Sequence, residues 1–203
     1  MKLYSNPYSQ HSRRVVSLLE IAGLSYQTIT VDLAAGAHRA PEFLAVNPNH
    51  QVPVLIDGPV KIFESNAILR YLCQQYGLSD WYPAEPGKRA LVDQWLDWNQ
   101  CRFSPVVMDI VLNQVFSKEN GDAEAIRRGK ALLPELSDIL TSQIWEHRYL
   151  AGPDPTIADL SVASSFTQLG FADCMPSGGA VGDWYDRVVS IGGVRKSLSA
   201  LAA

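Results

Sequence analysis

Ser9 and Ser12 stand three positions apart around Gln10-His11, where a short apolar run near the start of the chain gives way to a helical one. A hydroxyl with no base beside it does not attack at neutral pH, but it can donate a hydrogen bond to an anion and hold it. Downstream, Pro53 lies inside the apolar run Val52 to Ile56, where it removes an amide hydrogen that a strand ladder would use. Glu64-Ser65 pairs an acid with a hydroxyl at the mouth of a second helical stretch. His11, His38, His50 and His147 show no metal-ligand spacing. Cys73, Cys101 and Cys174 lie far apart, which argues for reduced thiols rather than a disulfide frame or a zinc site. Each cysteine falls in an apolar-periodic segment and is expected to be a buried small hydrophobe. Thr156-Ile157-Ala158-Asp159 has the form of a capping box, so Asp159 is expected to hold a helix start and to play no direct part in turnover.

The chain that positions these groups has 203 residues, of which 47% are apolar and 19% charged, with a net charge of −4. That composition is globular, and the scattered Arg and Lys form no basic face, which argues against nucleic acid as a partner. The amino terminus turns polar before a signal-peptide core can form, and no apolar run is long enough to span a bilayer, so a cytoplasmic protein with no membrane contact is expected.

Two grammars divide the sequence. Residues 1–77 alternate short strands with helices: a strand at 2–5, a helical period from Arg13 to Gly23, a strand at 26–31 and a helical turn at 41–45. Strands at 54–56 and 60–62 then flank Asp57-Gly58-Pro59, a hairpin signal. Glu64-Ser65-Asn66 opens a helix whose apolar face is Ile68, Leu69, Leu72 and Tyr76, with Ser65 expected as its N-cap. Residues 78–87 carry Pro83 and Pro86 with Trp81 and Tyr82, and read as a linker held by aromatic packing. Residues 88–203 have helical period throughout, with a kink expected at Pro105 and helices at about 122–149, from 156, at 181–189 and at 194–201. The fold class is an α/β first domain followed by an all-α second one.

The loop Ser9-Gln10-His11-Ser12 stands where thioredoxin-like proteins carry Cys-x-x-Cys ahead of the first helix. Without the dithiol it cannot run disulfide exchange. In such folds this loop faces a proline preceded by a cis peptide bond, and Val52-Pro53 stands at that place. The backbone of Val52 is then free to pair with an extended peptide. With NPYSQHSRRV (6–15), GAHRAPEFLAVNPNHQVPVL (36–55), FESNAILRYL (63–72) and TIADL (156–160) in order, essentially the whole chain resembles a cytosolic glutathione transferase of the serine type, near the phi and theta classes.

The resemblance implies roles residue by residue. Ser9 falls on the serine whose hydroxyl donates to the glutathione sulfur, and Ser12, its rival, is assigned to helix capping. His38 and Arg39 fall near the glycine carboxylate of the tripeptide, and Gln51 matches a position at the same end. Val52-Pro53 supplies the backbone pairing, and Glu64 and Ser65 hold the γ-glutamyl end. His50 falls where a phi-like pattern has a small residue and a theta-like one a lysine; it either reaches the glycine carboxylate or points into water. Tyr8, Trp98, Arg102 and Phe103 are candidates for an acceptor pocket.

The implied activity is conjugation of glutathione, as co-substrate and without metal, to an electrophilic and mainly apolar molecule in a homodimeric detoxification enzyme. The alternatives are a non-catalytic interaction or carrier protein of the same fold, or a specialised peroxidase, isomerase or dehalogenase. Retention of Ser9, Glu64 and Ser65 favours catalysis. The Ser-Ser-Cys-Ser run of isomerase-like relatives is absent, which weakens that reading.

Overall fold

Alternation along two short strands gives the first unit its two apolar faces. The computed structural model describes residues 1–176 and 178–201, and the chain divides into one unit of Met1–Leu78 with the segment from Ile191 onward, and a second of Ser79–Ser190. Strands β1 (Lys2–Ser5), β2 (Gln27–Thr30), β3 (Val54–Asp57) and β4 (Val60–Phe63) form a sheet in the order β2-β1-β3-β4. β1 runs parallel to β2 and antiparallel to β3, and β3 antiparallel to β4. Tyr4 lies opposite Val54, and Leu3 opposite Leu55. Val54 joins Val31, Val52 and Phe43 in a cluster with Tyr4 packed against it, on the face covered by the short helix α2 (Pro41–Leu44). Leu3 and Leu55 therefore point to the opposite face, since neighbours on a strand alternate. There α1 (Gln10–Ile21) and α3 (Ser65–Gln75) bury Val15, Leu18, Leu19, Ile68, Leu69 and Leu72.

The hairpin turn at Gly58 is tied to α3 from outside: Tyr71 and Tyr76 both donate through their hydroxyls to Asp57 Oδ2, at 3.0 and 2.7 Å. Tyr76 is accordingly an exposed clasp at the end of α3, not the core residue that periodicity predicts.

The second unit opens with α4 (Pro86–Trp98), whose N-cap Glu85 accepts from the amides of Gly87 and Lys88. Ahead of it the 78–87 stretch is pinned where Tyr82 donates to the Asp93 carboxylate and lies under the Arg89 guanidinium, 4.9 Å from the ring centre. Where a kink is expected, Asn99–Phe103 forms a π-helical turn, and Pro105 sits in the first turn of α5 (Ser104–Val111) just after it. Wider turns of this kind shift the phase of the helical period, which is why Cys101 is exposed; Cys174 is half-buried and only Cys73 lies in the interior. Helices α6 (Ala123–Glu146), α7 (Ile157–Gly170) and α8 (Gly179–Val189) complete the unit. Its core is an aromatic chain in which Phe166 lies 5.1 Å from Phe103 and 5.6 Å from Trp184 between ring centres.

The last helix, α9 (Gly192–Ser199), belongs to the first unit and not to the helical second domain expected for residues 88–203; Ala202 and Ala203 lie outside the described residues. It packs on α1, where the Ser17 and Ser197 hydroxyls meet at 2.8 Å in the interior and Lys196 pairs with Glu20. Gly193 permits this approach. A Cβ there would lie 2.5 Å from the Ile21 backbone nitrogen and 2.9 Å from the Glu20 carbonyl carbon, and backbone atoms inside a helix cannot step aside. Gly193→Ala is expected to destabilise by about 1–3 kcal/mol through overpacking, although alanine is the better helix former. A lowered urea midpoint checks it; a raised one would mean that α9 is free to move.

Candidate active site

Asn6 and Pro7 turn the chain from β1 into α1 and so decide which serine starts the helix. The Asn6 side-chain amide donates to the Val31 carbonyl at 2.9 Å, while its own carbonyls accept from the amides of Tyr8 (2.9 Å) and Ser9 (3.0 Å). This places Ser9 in extended conformation as the N-cap, its Oγ accepting from the Ser12 amide at 3.3 Å. Ser12 is not the cap that the sequence suggests. It lies inside the first turn, 1% exposed, and its Oγ accepts from the Asn6 amide at 3.3 Å. The reason is geometric: either hydroxyl satisfies the rule for an N-cap, and the bend at Asn6-Pro7 starts the helix at the first. Ser9 is half-exposed, and with one lone pair engaged by the Ser12 amide its hydroxyl proton remains to be donated.

The first turn of α3 meets the first turn of α1. Glu64, not Ser65, is the N-cap of α3, with φ 72° and ψ 109° and no side-chain bond to the helix amides. Such a backbone conformation in a residue other than glycine costs on the order of 1–3 kcal/mol and clusters at sites of function. It keeps the exposed Glu64 carboxylate off the helix amides, and a helix start is the kind of place that suits an anion. Ser65, the first helical residue, is 4% exposed. Its Oγ lies 3.5 Å from Arg14 Nη1 and 3.5 Å from His11 Nδ1, and Arg14 Nη1 also donates to Asn66 Oδ1 at 3.2 Å.

Arg14 is fully enclosed, and burial together with Arg13 brings its pKa down to about 9 while Glu64 pulls the other way, so the guanidinium is charged at neutral pH. Burial and the charges of Arg14 and Arg13 push His11 down to about 3, so its ring is neutral. Motif reading missed His11, Arg14 and Asn66. Nothing in local sequence separates a buried arginine bridging two helix starts from a solvated one.

A third group gathers ahead of β3. Asn47, 1% exposed, donates to the Gln51 carbonyl at 2.7 Å and accepts from the Asn49 amide at 3.0 Å, and its carbonyl receives the His50 amide at 3.1 Å. It fixes the loop that presents exposed His50 and Gln51 and leads into buried Val52 and Pro53, joined by a cis peptide bond. Val52 lies outside the ladder, which begins at Val54. Arg39 Nε approaches His38 Nε2 at 3.4 Å, and His38 Nδ1 is enclosed without a hydrogen bond. Burial, Arg39 and His50 together hold the His38 pKa below the usual imidazole range.

The acceptor-pocket candidates differ in exposure. Tyr8 is half-exposed next to Ser9, and Arg102 is exposed on the π-helical turn. Trp98 lines a surface groove of about 330 Å³ between α4 and α6, with Trp95, Ile139 and Gln143 among its walls. Phe103 is a correction: fully enclosed, it stacks on Trp98 at 5.5 Å and packs the interior, because the π-helical turn swings it inward. Among the described residues no group of His, Cys, Asp and Glu is arranged to hold a metal ion, and no helix is long and apolar enough to cross a membrane.

A thioredoxin-like sheet with its serine at the start of α1 and a cis-proline before β3, joined to an all-helical unit, defines the class of fold. Residues 1–74 match the family model described as glutathione S-transferase, N-terminal domain. Glutathione S-transferase F10 of Arabidopsis thaliana is 35% identical over 94% of this chain and 92% of its own length. Among solved structures, glutathione transferase F2 of Populus trichocarpa superposes with a TM-score of 0.89 at 29% identity, covering 98% of this chain and 97% of that one. The theta class enzyme of Xanthomonas axonopodis pv. citri, solved with glutathione bound, gives the same score and identity over 97% and 96%. The chain belongs to the glutathione S-transferase family, among its serine-type, phi- and theta-like members.

Proposed function

We propose that this chain binds glutathione on its first unit, stabilises the thiolate at Ser9 and transfers the sulfur to an electrophilic carbon of a mainly apolar molecule. The thiol gives its proton to solvent, the Ser9 hydroxyl donates to the resulting anion, and the thiolate forms the C–S bond as the leaving group departs with its electron pair. The observation that carries this reading is the Ser9 hydroxyl, engaged by the Ser12 amide as acceptor and left with its proton at the positive end of α1. The other groups divide the tripeptide between them. Ser65, Glu64 and the first amides of α3 take the γ-glutamyl end, Val52-Pro53 takes the cysteinyl backbone by strand addition, and His38, Arg39 and Gln51 take the glycine carboxylate. Tyr8 meets the electrophile. Detoxification in the cytoplasm as a homodimer fits this chemistry and the habits of the family.

Calorimetric titration with glutathione, followed by an assay with an activated aryl halide, tests the reading. Saturable binding with conjugate formation is expected. Binding without turnover would make the chain a carrier of the tripeptide, and no binding would remove the reading altogether.

A further inference from the structure

We infer that His11 is a positioning residue, which together with Arg14 fills the lone pairs of the Ser65 hydroxyl from inside the protein and so aims its proton outward at the carboxylate of the γ-glutamyl group. The inference rests on the reading of Ser65 given above and adds what makes that hydroxyl selective.

A serine hydroxyl has one proton to donate and two lone pairs to accept with. Arg14 is a donor only, and its Nη1 takes one lone pair of Ser65 Oγ at 3.5 Å. His11 Nδ1 lies at the same distance. A neutral imidazole carries its proton on one nitrogen or the other, and burial beside two arginines keeps this ring neutral. With the proton on Nδ1, His11 donates too, both lone pairs are filled, and the Ser65 hydrogen can only point away. With the proton on Nε2, bare Nδ1 draws the Ser65 hydrogen inward, and the hydroxyl turns lone pairs toward the ligand, which repel an anion. A bound carboxylate selects the first arrangement. Both contacts are long, at 3.5 Å.

Arg14 is too deeply enclosed to remove cleanly, so the test is made on His11. The asparagine side-chain nitrogen reproduces the position of Nδ1 as a donor, whereas aspartate puts an acceptor there and has Arg14 beside it to keep it charged. The readout is the ratio of dissociation constants for glutathione and for γ-aminobutyryl-cysteinylglycine, which lacks only the γ-glutamyl carboxylate. The unaltered protein is expected to prefer glutathione by about tenfold or more, the worth of a charge-assisted hydrogen bond. His11→Asn should keep that preference. His11→Asp should reduce it toward unity; His11→Leu, which leaves one lone pair unfilled and the hydroxyl free to turn, should reduce it in part and serves if the aspartate variant does not fold. A purely structural role would weaken both ligands alike and leave the ratio standing; a preference retained in His11→Asp, or undiminished in His11→Leu, overturns the inference. If the unaltered protein binds both ligands equally, the placement of Ser65 is wrong, and that failure is seen before any variant is made.

Discussion

Replacing Ser9 by alanine is expected to lower turnover about ten- to a hundredfold while glutathione affinity changes little. A free thiol has a pKa of about 8.5 and is only slightly ionised at neutral pH. Lowering that value by about two units takes roughly 2.7 kcal/mol of preference for the anion. One hydrogen bond to a charged group contributes about 1.5–3 kcal/mol, and the start of α1 adds about 0.3–1 kcal/mol. The hydroxyl is therefore the larger share, and removing it sends the bound thiol back toward its free pKa. The rate profile against pH should move upward with it, so that much of the lost rate returns under alkaline conditions. Steady-state rates with an aryl halide across pH, together with thiolate absorbance of the bound tripeptide, read both effects.

Because Ser9 is also the N-cap of α1, alanine costs about 0.5–2 kcal/mol of stability, whereas glycine at such a position costs only about a few tenths. Ser9→Gly should thus match Ser9→Ala in lost rate while keeping stability. Ser12→Ala keeps the amide that holds Ser9 and should leave the thiol pKa in place. An unchanged profile in the Ser9 variants would mean that another group ionises the sulfur.

How far the sequence foretells this site depends on whether a residue acts locally. The strand and helix order of the first unit follows from period and turn chemistry, and the capping box at Thr156 is written within four residues. The placing of the α1 cap at Ser9, where Ser12 satisfies the same rule, and of the α3 cap at Glu64, which the rule does not favour over Ser65, escapes such reading. What separates them is a backbone bend: the Asn6 turn in one case and a positive φ in the other. His11 and Arg14 meet Ser65 across more than fifty residues of chain, and α9 returns to α1 across 180 positions at Ser17 and Ser197. No window of local sequence holds such pairings. The π-helical turn at 99–103 misleads in a different way, since it keeps helical composition while breaking the period from which the burial of Cys101 is read.

The second large effect lies far from any sulfur. Asp159 is fully enclosed and gathers four hydrogen bonds: Oδ1 accepts from the Leu150 amide at 3.0 Å and from the Trp184 indole at 2.9 Å, while Oδ2 accepts from the Thr156 amide at 2.8 Å and its hydroxyl at 3.2 Å. Burial pushes its pKa up and these bonds pull it down. The carboxylate does more than cap α7: it ties the helix start to the loop at Leu150 and to α8 through Trp184, the largest fully buried side chain described. Asp159→Ala leaves buried donors on three residues without an acceptor, each worth about 1–3 kcal/mol, so a loss of about 3 kcal/mol or more is expected. Against a total of about 5–15 kcal/mol for a typical protein, that is enough to cut the folded yield at physiological temperature. A lower urea midpoint should be accompanied by undiminished activity per folded molecule, since Asp159 meets neither glutathione nor electrophile in the proposed reaction. Normal stability with lost turnover would instead move Asp159 from the frame of the protein into its chemistry.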